Sequence, residues 1–295
     1  VMGADLFELA NNHIWRTEFL NKSWTADVLP KDWEIETDPQ GYTERGWIDW
    51  GFKTYYAYLN CGFRMRPTGG TGSGYHPVPA GFGRVYVECP DGVSYEKWME
   101  GLNAGRSFVS TGPMFAKVTI NGQPLGTIFK DSKNGSYDIE IEAEVGSVMT
   151  NQMTDVQLIV NGEVRQSFRN THVKPSPGKS SSGDDFCLFH ATFKVNQTSW
   201  VALRIIEYRD VESATSENPM AIKPTDKSRF RYAHTAPVYF EIDGPIKPRK
   251  REVNYFIERM VQEIARNTGI LADDEVAEYR KALEIYREIA QRAVE

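Results

Sequence analysis

Tyr137-Asp138-Ile139-Glu140-Ile141-Glu142-Ala143-Glu144-Val145 alternates apolar and acidic residues without a break. Successive side chains of a strand point to opposite faces. The stretch therefore reads as a strand that lays Tyr137, Ile139, Ile141, Ala143 and Val145 on a core and turns Asp138, Glu140, Glu142 and Glu144 to water. One packed face and one wet face is the habit of antiparallel sheets. Downstream segments keep the period. Val156, Leu158 and Val160 lead into Asn161-Gly162 and then Val164, and Asn-Gly supplies the positive φ angles of a type I′ hairpin turn. Asn121-Gly122 repeats that signal after Val118 and Ile120. Further strands are expected over 187–195, 200–206 and 237–242. About seven short strands with turn signals between them predict an antiparallel β-sandwich over residues 115–246. Two polar stretches, 174–185 and 209–231, interrupt it and read as surface loops.

Upstream, residues 1–114 mix strand and helix patterns. Leu6 to Leu9 reads as a buried strand and Arg84 to Glu88 as β-like. Phe52, Tyr55, Tyr56 and Leu59 fall at helical spacing within 50–60, and Tyr95, Trp98, Met99 and Leu102 form a second helix face that Gly105 can end. Strands alternating with helices predict an α/β layer or barrel. Downstream, residues 247–295 have a period of 3.6. Val253, Phe256, Ile257, Met260, Val261 and Ile264 make one stripe, and Val276, Tyr279, Leu283, Tyr286, Ile289 and Ala293 a second. Asn267 and Gly269 break the pattern between them, and Asp273, Asp274 and Glu275 suit a helix N-terminus. A helical hairpin packing on the other domains is expected.

The bulk properties narrow the function classes. The chain has 295 residues, 40% hydrophobic and 25% charged, which is the balance of a folded globular protein. A net charge of -6 argues against a nucleic-acid binder, since neutralising phosphates needs a basic surface. The basic run Lys247, Arg249, Lys250 and Arg251 reads as a solvated linker. Cys61, Cys89 and Cys187 are widely spaced, so neither a disulfide framework nor a structural zinc site is expected. No apolar run reaches the ~20 residues of a membrane span, and no signal peptide is seen. The compartment stays open.

Three segments can carry chemistry. Glu8 stands in an apolar strand with His13 five residues on, and a carboxylate with a nearby imidazole suits Zn, Mn or Fe. The other reading pairs Glu8 with an arginine and leaves His13 in a loop. Gly69-Gly70-Thr71-Gly72-Ser73-Gly74-Tyr75-His76-Pro77 lets backbone approach a ligand closely, but it lacks the Gly-Lys-Ser/Thr ending of a P-loop. His76 is its ligand candidate, or else a hydrogen-bonded structural histidine. Arg84 and Arg106 can each grip an anionic substrate group or a carboxylate, or form ordinary salt bridges. His172, His190 and His234 have no spacing that makes a site, and His190 is expected to face solvent. No residue is assigned a catalytic role.

The run from Tyr55 through Leu59-Asn60-Cys61-Gly62-Phe63-Arg64, the glycine segment 69–77, Gly83-Arg84-Val85-Tyr86-Val87, Gly101-Leu102-Asn103-Ala104-Gly105-Arg106-Ser107-Phe108-Val109 and Thr111-Gly112-Pro113 resembles the last part of the PHP domain in CehA/McbA-type metallohydrolases. The resemblance continues through Leu158 to Val164, Trp200 to Arg204 and Ala233 to Val238 to the final helices. It implies the C-terminal part of a distorted β/α barrel over 1–114, ahead of the sandwich and hairpin. It also implies a divalent metal (Zn, Mn or Fe) that activates water for hydrolysis of an ester, carbamate or phosphoester in a small-molecule substrate. The metal ligands it assigns are Glu8, His76 and, more loosely, His13. Such families open with a His-x-His pair, which this sequence lacks, so the front of the barrel is expected ahead of Val1 or on a separate N-terminal half. A homo-oligomer is the other expected partner. The family's late metal motif carries an aspartate where this chain has Gly72. The metal site is thus expected to be incomplete or degenerate, and this chain alone inactive. The alternative is a non-catalytic binding or scaffold module whose sandwich binds carbohydrate or protein, with Trp15, Trp24, Trp33, Trp47 and Trp50 as apolar surfaces.

Overall fold

The computed structural model describes residues 4–11, 29–39, 41–72, 80–130, 132, 134–146, 154–170, 186–207 and 231–295. In chain order the elements are β1 (Leu6–Ala10), β2 (Thr37–Asp38), β3 (Gly41–Tyr42), α1 (Glu44–Asn60), β4 (Arg66–Gly69), β5 (Arg84–Val87), α2 (Tyr95–Asn103), β6 (Ser107–Ser110), β7 (Met114–Ile120), β8 (Ile128–Phe129), β9 (Tyr137–Gly146), β10 (Thr154–Val160), β11 (Glu163–Asn170), β12 (Phe186–Val195), β13 (Ser199–Glu207), β14 (Arg231–Thr235), β15 (Val238–Phe240), α3 (Lys250–Asn267) and α4 (Asp273–Ala290). The class is mixed α/β. The described residues within Leu6–Arg16 and Arg66–Gly244 form one compact unit, and those within Val1–Asp5, Thr17–Met65 and Pro245–Glu295 form another.

The first unit is built on sheets. The larger has the order β11-β10-β13-β14-β6-β5, with β15 paired to β13 and β8 to β15. Its pairs are antiparallel except β15 with β8. The smaller sheet is antiparallel in the order β12-β9-β7. Alternate residues of both meet in one apolar core, where Ile139, Ile141, Phe189 and Ala191 share a cluster with Leu158, Leu203, Ile205 and Ala233. The arrangement is sandwich-like, and no barrel closes among the described residues. The sheet crosses position 114, for β5 and β6 extend the strands that follow it.

Local chemistry explains the hairpins. Asn161 and Gly162 have φ of 51° and 89°, and Asn121 and Gly122 of 48° and 70°, the left-handed pair a type I′ turn requires. Each asparagine also ties its turn to a neighbouring strand. Asn161 donates to Ser199 Oγ at 3.1 Å and accepts from the Trp200 amide at 2.9 Å. Asn121 donates to the Asp138 carbonyl at 3.1 Å and accepts from the Glu140 amide at 2.7 Å.

Two expectations in this unit need correction. Glu144 does not face water: it is 5% exposed, because β9 is covered on both faces from Ala143 to Gly146. Alternation decides which face a side chain takes, and what later covers that face is a tertiary matter. Tyr95 is 73% exposed although it lies on the expected stripe of α2, since burial on that helix begins only at Gly101 and Leu102. The helix itself starts at the Ser94 cap and is ended by Gly105 at a φ of 74°. The loops expected at 174–185 and 209–230 lie outside the described residues, and Arg231 opens β14.

The second unit packs α1, α3 and α4 around one aromatic cluster. Tyr58 stacks on Phe256 at 4.3 Å between ring centroids, Phe256 on Tyr286 at 5.0 Å, and Trp33 meets Tyr255 at 4.6 Å. Thr43 caps α1 by accepting from the Gly46 amide at 3.0 Å. The α3 stripe is narrower than its periodicity predicts, with Val261 46% exposed. The basic run is no linker. Lys250 and Arg251 open α3, where Arg251 bonds Asp32 and the buried Glu252, each at 2.6 Å. Glu252 also accepts from Asn60 at 3.1 Å, which ties the first turn of α3 to the last residue of α1. Cys61 and Cys89 are free thiols, and burial pushes the Cys61 thiol up. No helix among the described residues is long and apolar enough to cross a membrane.

Candidate functional site

Strands β1 and β4 pair in parallel and finish at the same edge. Parallel strands put their ligand-binding positions beyond their carboxyl ends. The register runs Leu6 with Arg66, Phe7 with Pro67 and Glu8 with Thr68, then slips so that Ala10 meets Gly69. Leu9 is the extra residue of a bulge, and the alternation breaks there: Glu8 is exposed while Leu9 and Ala10 are both buried. A bulge re-aims side chains, and here the re-aimed group is a carboxylate.

Gly70 lies against it, and Gly69 and Gly83 pack on the neighbouring backbone. The Gly70 amide donates to the Ala10 carbonyl at 2.8 Å, and Thr71 Oγ1 donates to the Gly83 carbonyl at 3.0 Å. A Cβ on Gly70 would lie 2.7 Å from Glu8 Oε1, one on Gly83 2.9 Å from the Gly70 carbonyl oxygen, and one on Gly69 3.1 Å from the Arg84 backbone. The missing side chains are what allow this crossing. Partial burial raises the Glu8 carboxyl above its ordinary value. Tyr232, from β14, donates its hydroxyl to the Leu9 carbonyl at 2.7 Å. Burial pushes the Tyr232 phenol up, and the Glu8 charge adds to the rise.

These contacts separate two kinds of glycine. At Gly70 the obstacle is the end of a flexible side chain, so Gly70→Ala is expected to displace Glu8 and to change stability by less than about 1 kcal/mol. At Gly83 the obstacle is backbone, and Gly83→Ala is expected to cost about 1–3 kcal/mol. Urea midpoints of the two variants check this, and the reverse order would refute the described crossing.

The other candidate residues are dispersed. Arg84 and Arg106 sit at opposite ends of the β5–β6 pair, roughly 13 Å apart at strand rise. Arg84 is exposed and donates to the Tyr86 hydroxyl at 3.3 Å. Arg106 takes the salt-bridge alternative, with Nη2 3.3 Å from Glu100 Oε1. His13, His76 and His172 lie outside the described residues, as do Trp15 and Trp24. His190 faces solvent as expected, 3.0 Å from Glu140 Oε1.

Sequence reasoning missed a buried polar line on the face of the larger sheet opposite the shared core. Ser167 donates to Asp155, Gln157 Nε2 donates to Asp155 Oδ2 at 2.8 Å, and Arg204 Nε donates to Gln157 Oε1 at 2.7 Å. His234 stands opposite Arg204 and donates from Nδ1 to the Thr235 carbonyl at 2.7 Å. Burial, with the Arg204 charge adding, pushes the His234 imidazole down to about 3. The signal available was polar residues at alternate positions of otherwise apolar strands. A concavity of about 710 Å³ lies along β9 and is lined by Asn121, Asp138, Glu140, Thr192, Phe193 and Lys194.

Glu8 suits a metal in one respect: it is an exposed carboxylate over a surface with no Cβ in the way. Protein metal sites need three or four such donors, and the described residues hold no group of three or more His, Cys, Asp or Glu that could bind an ion. Glu8 thus fits as one ligand of a larger set. Neither protein-family models, curated proteins nor solved structures gave a match to this chain.

Proposed function

We propose that this chain belongs to a metal-dependent hydrolase of the CehA/McbA-type PHP kind, with Glu8 as a metal ligand and His76 and His13 as its companions. The observation that carries it is the Glu8 carboxylate near the carboxyl edge of a parallel strand pair, against Gly70 of the backbone crossing that Gly69, Gly70 and Gly83 make. Both strands run toward the stretches of sequence that hold His13 and His76. A bound divalent ion would supply Lewis-acid activation of water toward an ester, carbamate or phosphoester. The chain's own part is to hold Glu8 over Gly70 and to offer the exposed Arg84 to an anionic substrate group. The β/α barrel is the finer fold this function calls for, with β1 and β4 as two of its parallel strands.

Elemental analysis tests the reading on this chain and on a form carrying whatever its gene encodes ahead of Val1. Stoichiometric Zn, Mn or Fe in either form is expected, with loss of at least half of it in Glu8→Gln and in His76→Ala. No metal in both forms would end the hydrolase reading. It would turn attention to a binding module, for which the concavity along β9, with its carboxylates, amide, hydroxyl and lysine, is the observation in favour. Carbohydrate or a protein partner is its expected occupant.

A further inference from the structure

We infer that Tyr232 is a positioning residue for Glu8, holding the β1 bulge that aims the carboxylate at the glycine crossing. The register slip leaves Leu9 without a partner on β4, so its carbonyl is spare in the ladder, and the Tyr232 hydroxyl takes it at 2.7 Å. Tyr232 is itself fixed from behind. Its amide donates to Thr111 Oγ1 at 3.0 Å, and its carbonyl accepts from the Thr111 amide at 2.9 Å. Thr111 directly follows β6, so the side chain is a strut from the end of the larger sheet to the one irregular peptide of β1. Tyr232 is fully buried and held both at its hydroxyl and along its backbone. Without the strut the bulge can relax toward regular pairing. A one-residue slip in a strand sends the next side chain to the opposite face, and the side chain next to the bulge is Glu8.

The inference rests on the reading of Glu8 as a metal ligand. It is tested by Mn²⁺ titration followed by electron paramagnetic resonance, on whichever form of the chain binds the ion. Tyr232→Phe keeps the ring and removes the hydroxyl. Its Mn²⁺ affinity is expected to fall on the order of tenfold or more, the usual effect of losing a group that orients a ligand. Tyr55→Phe is the control, because Tyr55 makes an equivalent buried bond to the Met65 carbonyl at 2.9 Å, and Met65 precedes β4 at the end opposite the bulge. It is expected to keep wild-type affinity. Equal affinity in Tyr232→Phe and wild type would overturn the positioning role, and an equal loss in both tyrosine variants would reduce it to general destabilisation. Absence of Mn²⁺ binding in every form, Glu8→Gln included, overturns the metal reading and this inference with it. Should Tyr232→Phe fail to fold, Thr111→Val carries the same expectation by removing the hydroxyl that accepts the Tyr232 amide.

Discussion

Gly126→Ala is expected to cost about 4 kcal/mol of folding stability, a large part of what a marginally stable unit has to lose. Two independent effects add. The residue sits at a φ of 79°, where a Cβ meets its own backbone at about 1–2 kcal/mol. A Cβ there would also lie 1.9 Å from the Ala104 carbonyl oxygen and 2.9 Å from the carbonyl carbons of Ala104 and Gly105. Those atoms belong to the end of α2 and cannot swing aside as a side chain does, so overpacking adds about 1–3 kcal/mol. Gly105 faces the same constraint from the other side, since its own Cβ would be 3.0 Å from the Gly126 Cα. Gly122→Ala separates the two effects, because Gly122 has a φ of 70° but open space around it. It is expected to lose only the conformational part. Urea unfolding of both variants measures this, and similar losses would show that the contact with Ala104 carries no energy.

Acid is expected to unfold this protein through His234. The imidazole has a folded value of about 3 and an unfolded value near 6.5, so between those limits the unfolded chain binds a proton that the folded chain excludes. Stability is therefore whole above pH 6.5 and falls as the pH drops toward 3. One group shifted this far is worth up to about 4–5 kcal/mol across the window. Glu8 works in the opposite sense. Its raised carboxyl adds stability at low pH that is lost as the pH rises through its folded value, but its partial exposure keeps that contribution small. Urea midpoints taken from pH 7 to pH 3 should fall steeply in the wild type. In His234→Gln, which cannot charge, the slope should be much flatter even if the pH 7 midpoint is lower. Parallel slopes would mean that His234 opens to water before it titrates.

The parts of this molecule that were legible in the sequence are those decided by neighbours along the chain. The strand from Tyr137 to Val145, the Asn161-Gly162 turn, the Gly105 stop and the two helices all rest on backbone geometry within a few residues, and each of these elements formed where expected. The misses depend on coverage from afar. Glu144 is buried because β9 is covered at that end, and Tyr95 is bare because no described residue covers the first turn of α2. Arg251 was misread because its two carboxylates lie 219 residues away and one residue away, and only the second is visible as a neighbour. At the candidate site Glu8 was legible as a carboxylate in an apolar strand. The bulge beside it was not, since a one-residue slip depends on the partner strand. Tyr232 had no signal at all, being one tyrosine among fourteen and 223 residues from the carbonyl it serves.

The pinned turn asparagines bear on how the protein ages. An asparagine followed by glycine is chemically labile, because the glycine amide nitrogen can attack the side-chain carbonyl, close a five-membered imide and release ammonia. Attack requires the side chain to swing back over its own peptide. Asn161 and Asn121 are each held at both the amide nitrogen and the oxygen by an adjacent strand, which keeps them from that pose while the sandwich-like core is folded. Asn134-Gly135 has the same sequence but sits exposed. In a stored preparation, charge heterogeneity should therefore arise at Asn134 first. Its appearance at the two hairpin turns would mark molecules whose sheets have opened.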